Sequence, residues 1–122
     1  MKKRPRHDQQ DFNNQIFDSQ FERDVFYKIR DRGYRVTPQF TVAQFKIDMV
    51  IEGLKSRLAV ECDGHKRLEA VQSEYEILRQ QKLEKFGWTF LRISISSFYR
   101  DPEQSLKPLW KKLNEMDIRG TV

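Results

Sequence analysis

The sequence is 122 residues long, which allows one domain with a real core and leaves little length for a second. It carries 23 Lys and Arg against 18 Asp and Glu, a formal charge of +5, which favours a polyanionic partner but does not by itself separate nucleic-acid binding from ordinary solubility. Hydrophobic residues make up 38%, no apolar run approaches the ~18 residues that a membrane-spanning helix requires, and the single cysteine, Cys62, excludes an internal disulfide.

Residues 1–14 are polar, with Lys2, Lys3, Arg4 and Arg6 together, and read as a flexible basic arm ahead of one domain over residues 15–118. The first residues lack the apolar segment of a secretory signal, which together with the lone cysteine fits a soluble protein of a reducing cytosol. Ser19-Gln20-Phe21-Glu22 has the form of a capping box, and Phe21, Val25, Phe26 and Ile29 then recur at helical spacing until Gly33. Residues 34–42 alternate weakly around Pro38 and suit an edge strand.

Residues 45–51 alternate more clearly, with Phe45, Ile47, Met49 and Ile51 on one face and Lys46, Asp48 and Val50 on the other; the odd set is expected to be the more buried. A turn over residues 52–56 leads into a second alternating run over residues 57–63, with Leu58, Val60 and Cys62 opposite Arg57, Ala59, Glu61 and Asp63. These runs predict a hairpin that sets Asp48 and Glu61 on one face of neighbouring strands.

A second helix is expected from about Leu68 through Val71, Tyr75, Leu78 and Phe86 to Gly87, with Glu76, Arg79, Gln80 and Lys82 on its polar side. Residues 88–95 return to strand periodicity, with Leu91, Ile93 and Ile95 opposite Trp88, Phe90 and Arg92. Asp101-Pro102 starts a last helix that Pro108 kinks or restarts; Leu109, Trp110 and Leu113 form its apolar side and Lys107, Lys111 and Lys112 its basic one. The order helix-strand-strand-strand-helix-strand-helix predicts an α/β fold with a mixed sheet flanked by helices.

The chemistry centres on Asp48 and Glu61. A carboxylate within strands otherwise built from Val, Ile, Leu and Met costs several kcal/mol unless something compensates it. A hard cation compensates two at once: Mg2+ takes oxygen ligands, commonly one or two carboxylates with waters, and it activates water while neutralising phosphate charge. The competing reading is an ordinary ion pair of Asp48 with Lys46, Arg57 or Arg92 across a solvated face.

Several landmarks fall in order along residues 19–113: Phe21-Glu22, Gly33-Tyr34-Arg35-Val36 with Pro38-Gln39, Lys46-Ile47-Asp48 and Val60-Glu61-Cys62-Asp63-Gly64. They continue with Leu78-Arg79-Gln80, Leu83-Glu84, Gly87-Trp88, Leu91-Arg92-Ile93 and Arg100-Asp101-Pro102-Glu103. In this series the chain resembles the PD-(D/E)XK nuclease superfamily, and within it the very-short-patch-repair-like endonuclease domains found at the C-terminus of superfamily I helicases. The resemblance implies a restriction-endonuclease-like core and a Mg2+-dependent phosphodiesterase in which Mn2+ can substitute. It also implies Asp48, Glu61 and the Cys62 main-chain carbonyl as metal ligands.

Glu22 matches the acidic residue that the first helix of such folds contributes, and equally matches a capping glutamate. Asp63 stands where the superfamily pattern has lysine, a departure shared with the nearest subgroup; it reads either as a further acidic site residue or as the start of the turn at Gly64. Lys66, Arg79 or Lys82 would then bring the missing cation, and with Lys46 they are the candidate nucleic-acid contacts. His65 has two readings, an acid or base of the site and a solvated loop residue. Cys62 is expected to point into the core, without thiol chemistry.

The expected function is hydrolysis of DNA phosphodiester bonds in repair or DNA processing, with a helicase, fused or associated, as partner and a homodimer as the arrangement for cutting both strands. The alternative is a nuclease-fold DNA-binding accessory module without cleavage, for which the missing lysine speaks and against which the retained Glu22, Asp48, Glu61 and Asp63 speak.

Overall fold

The computed structural model describes residues 16–64 and 74–121. Their order is α1 (Gln20–Asp31), β1 (Arg35–Val42), β2 (Phe45–Glu52), β3 (Arg57–Asp63), α2 (Glu74–Lys85), β4 (Thr89–Ser94), α3 (Ile95–Arg100), α4 (Pro102–Ser105) and α5 (Lys107–Glu115). The four strands form one sheet in the order β1-β2-β3-β4, antiparallel except for the parallel pair β3–β4. This is the expected mixed sheet flanked by helices, a restriction-endonuclease-like arrangement. Among the described residues no helix is long and apolar enough to cross a membrane.

Local signals account for most boundaries. Ser19 Oγ accepts from the Glu22 amide at 3.1 Å and caps α1, and Gly33, at φ +89°, follows its end. Ala43 and Gln44 both take positive φ in the two-residue turn that pairs Val42 with Phe45, as a hairpin turn of the primed type requires. The β2–β3 turn closes with the Gly53 amide donating to the Ser56 carbonyl at 2.8 Å. Asp101 Oδ1 caps α4 by accepting from Gln104 N, and the chain restarts as α5 with Pro108 in its first turn. Ile95, expected at the end of β4, instead opens α3, because Ser94 Oγ accepts from the Ser97 amide at 3.1 Å and makes that position a helix cap.

Helices cover both faces of the sheet. On one face α1 contributes Phe21, Val25 and Ile29 and the C-terminal helices contribute Phe98, Leu106, Leu109 and Leu113, over Met49, Ile51, Leu58, Val60, Cys62 and Ile93. Leu83 of α2 and Trp88 cover the other face over Ile47, Val50 and Ala59. The odd residues of β2 do not share one face as alternation predicts: Met49 and Ile51 pack on the α1 side, whereas Ile47 and Phe45 join Val50 under α2, so the strand changes face around Asp48, and both Asp48 and Val50 are buried as well.

The orientation of α2 differs from the periodicity reading. Tyr75, Leu78 and Phe86 are exposed, whereas Arg79 and Leu83 face inward. Counting apolar residues misses this orientation because Arg79 turns in to meet a buried charge. Leu68 and Val71, expected earlier in this helix, lie outside the described residues.

Candidate active site

The site forms where the regular pairing of β2 and β3 stops. The register runs from Glu52–Arg57 to Met49–Val60, and the next two positions are Asp48 and Glu61. Beyond that point side chains replace ladder bonds: the Asp48 amide donates to Glu61 Oε2 at 3.2 Å, and the Cys62 amide donates to Asp48 Oδ2 at 2.8 Å. On the other side of β2 the pairing with β1 steps from Pro38–Met49 to Phe40–Ile47. Gln39, at the skipped position, adopts φ +51°, a left-handed conformation in the middle of a strand.

Gln39 also links the strands to α1, through Nε2 donating to Glu22 Oε1 at 2.9 Å. The Glu22 amide completes the helix cap, as any residue at that position can, while its buried side chain reaches toward β1. Its pKa is pushed up to about 7, first by burial, then by the charges of Asp48, Asp18 and Glu61. The helix therefore brings a third carboxyl into the field of the central pair.

Glu61 is 1% exposed and Arg79 is 5% exposed. Arg79 Nη2 donates to Glu61 Oε1 at 2.9 Å, and Nη1 donates to the Lys46 carbonyl at 3.2 Å. Of the three cations weighed for the site, Arg79 is thus brought onto the carboxylate pair as a buried strut rather than as a surface contact. Lys82 is exposed on α2 and Lys46 is exposed on β2, while His65 and Lys66 lie outside the described residues. The Cys62 thiol is buried, and burial followed by the surrounding Asp48, Glu22, Glu61 and Asp63 charges pushes its pKa far up, which suits an inert core thiol.

Asp63 is more than the start of a turn. Its Oδ1 accepts from Arg92 Nη1 at 2.9 Å, and Arg92 Nη2 donates to Gln80 Oε1 on α2. Sequence reading gave Arg92 no part in the chemistry, and its signal lies in the parallel β3–β4 register, which sets it beside Glu61. Gln39 was likewise missed, since nothing in a strand pattern announces a left-handed glutamine.

Among the described residues no group of three or more His, Cys, Asp and Glu side chains is gathered as a metal cage. The donors at hand are carboxylate oxygens of Asp48 and Glu61, beside the Glu22 carboxyl, whose pKa burial and then their charges raise. That all-oxygen set suits a hard divalent cation of the Mg2+ type, which takes one or two protein carboxylates and fills the remaining positions with water or phosphate.

The model of the REase_MTES_1575 family, a restriction-endonuclease-like family, matches residues 21–113. No curated protein and no solved structure matches the chain.

Proposed function

The chain belongs to the REase_MTES_1575 family of restriction-endonuclease-like proteins, and on that premise we propose that it is a metal-dependent endonuclease-type domain that hydrolyses DNA phosphodiester bonds in repair or DNA processing. The observation that carries this reading is the reciprocal hold between Asp48 and Glu61 at the point where the sheet ladder opens. Two carboxylates kept side by side in the sheet, beside a third carboxyl raised by burial and by neighbouring charges, form a concentrated negative site in a protein whose net charge is +5. Such a site favours a divalent cation, and a chain positive elsewhere favours a polyanion.

Asp48 and Glu61 would hold the cation, with the Cys62 carbonyl as a further oxygen. When bound, a divalent ion there lowers the pKa of water and neutralises charge on the phosphate. The protein's own part is to fix the two carboxylates through the Cys62 and Asp48 amides and Arg79, so that little reorganisation accompanies binding. Exposed Lys46 and Lys82, with Lys66, would position the backbone through contacts that carry no sequence information. The finer placement among very-short-patch-repair-like domains associated with helicases, and a dimer for cutting both strands, belong to this proposal and rest on the order of the motifs.

One observation favours a second reading, a DNA-binding accessory module without cleavage: Glu61 already has Oε1 on Arg79 and Oε2 on the Asp48 amide. The test is cleavage of labelled single-stranded, duplex and flap DNA with Mg2+ or Mn2+, comparing the parent with Asp48→Asn and Glu61→Gln. Cutting that both substitutions abolish supports the nuclease. DNA bound but uncut on every substrate selects the accessory module.

A further inference from the structure

The position two residues after Glu61 holds an anion, Asp63, and that anion is paired to a cation from the neighbouring strand. Glu61 and Arg92 are register partners on parallel strands, so their side chains leave the same face of the sheet, the one covered by α2. Arg92 is then braced from two directions, by Asp63 on β3 and by Gln80 on α2. A guanidinium fixed at both nitrogens has little freedom left to lose when an anion meets it.

The two arginines near Glu61 differ in access. The Arg79 side chain is 6% exposed and enclosed against Glu61, whereas that of Arg92 is 26% exposed. Arg92 also borders an open cavity of about 400 Å³ that it shares with Ile93, Ser94, Ser97, Arg100, Asp101 and Gln104. Arg79 orients Glu61 from a buried position that leaves it little surface to offer a ligand. Arg92 can meet one while keeping its braces, because a guanidinium has five donors and the described bonds use two of its nitrogens.

We propose that Arg92 contacts the nucleic-acid phosphate at the reacting position, with Asp63 and Gln80 as the residues that position it. The carboxylate at position 63 thereby supplies a cation indirectly, by recruiting one from β4. This rests on the nuclease reading of the same site. Its role in hydrolysis is electrostatic: Arg92 faces negative charge that grows on the phosphate oxygens as water adds and the leaving oxygen departs, and it transfers no proton.

The test has two arms, run on the parent, on Arg92→Lys, and on whichever of Arg92→Gln or Arg92→Met melts within a few degrees of the parent. In the first arm, duplex DNA affinity is measured against salt concentration without divalent metal. Loss of one phosphate contact is expected to make the slope of log K against log salt shallower by about 0.9, and Arg92→Lys is expected to restore it. In the second, cleavage in Mg2+ is expected to lose roughly 10²–10³-fold in kcat in the charge-removing variant with a smaller change in KM.

An unchanged salt slope overturns the proposal whether or not the parent cuts DNA. A shallower slope with unchanged kcat also overturns it, since the phosphate touched is then not the reacting one. If the parent cuts nothing, the nuclease reading fails by itself, and the slope still decides whether Arg92 holds a phosphate.

Discussion

The amide of Asp48 donates to Glu61 Oε2 at 3.2 Å, while the carboxylate of Asp48 accepts at 2.8 Å from Cys62, the residue after Glu61. Each carboxylate is held by main chain of the strand that carries the other. Charge and hydrogen bonding at this point are therefore separable by mutation. Asp48→Asn keeps an oxygen for the Cys62 amide and is expected to unfold within about 1 kcal/mol of the parent, whereas Asp48→Ala leaves a buried N–H unpaired and is expected to lose roughly 1–3 kcal/mol. Urea unfolding checks this, and an alanine variant as stable as the asparagine one would refute it.

The Glu61–Arg79 pair is buried on both sides, so removing one partner is expected to cost more than removing both. Glu61→Gln leaves an uncompensated guanidinium and is expected to destabilise the fold by about 3–5 kcal/mol. The double variant Glu61→Gln/Arg79→Met is expected to be more stable than the sum of the two single effects predicts. A double-mutant cycle by denaturant titration measures the coupling, and strict additivity would show that the pair does not act as a unit.

Glu22 makes the metal-free protein sensitive to pH. Its folded pKa, about 7, lies above the ordinary 4.5, so the folded state binds the proton more tightly than the unfolded chain. Its contribution is fully present below pH 4.5 and is lost as pH rises through 7, by up to roughly 3 kcal/mol. Glu22→Gln keeps an acceptor oxygen for Gln39, removes the titration, and is expected to flatten this part of the stability profile in a chelating buffer. A parent profile that rises between pH 5 and 8, with the variant following it, would contradict the assignment.

A divalent cation bound as proposed at Asp48 and Glu61 would stabilise the fold by mass action, by about 2.7 kcal/mol at a hundredfold excess over Kd. Thermal melts are expected to shift up with Mn2+ or Mg2+ and back with chelator, and Asp48→Asn is expected to lose the shift while folding normally. An equal shift in that variant would place the ion elsewhere.

Much of this was legible in the residues. The Gly53 turn between residues 45–51 and 57–63 set Asp48 opposite Glu61, although the alternation of β2 breaks at Asp48, and Ser19, Gly33, Asp101 and Pro108 marked helix limits through local hydrogen bonding and backbone preference. What escaped depended on tertiary partners. The inward face of α2 is set by a salt bridge to a strand, so apolar spacing pointed the wrong way. Arg92 meets Asp63 only through the parallel register across the β3–β4 crossover, and Gln39 takes a left-handed conformation at a gap in pairing. Arg92 and Gln39 stand among the sequence landmarks, but what they bond to is not written in their local pattern.

The inverted orientation of α2 has an evolutionary corollary. With Leu78 and Phe86 in solvent and Arg79 in the interior, selection for stability alone would favour polar residues at the first two positions and an apolar one in place of the arginine together with its glutamate. Because either single change leaves a buried charge uncompensated, a screen for a tougher protein reaches that state only where both partners of the Glu61–Arg79 pair are replaced together. A thermostable descendant of this chain that has lost the pair would carry its history as a fold kept after its chemistry was given up.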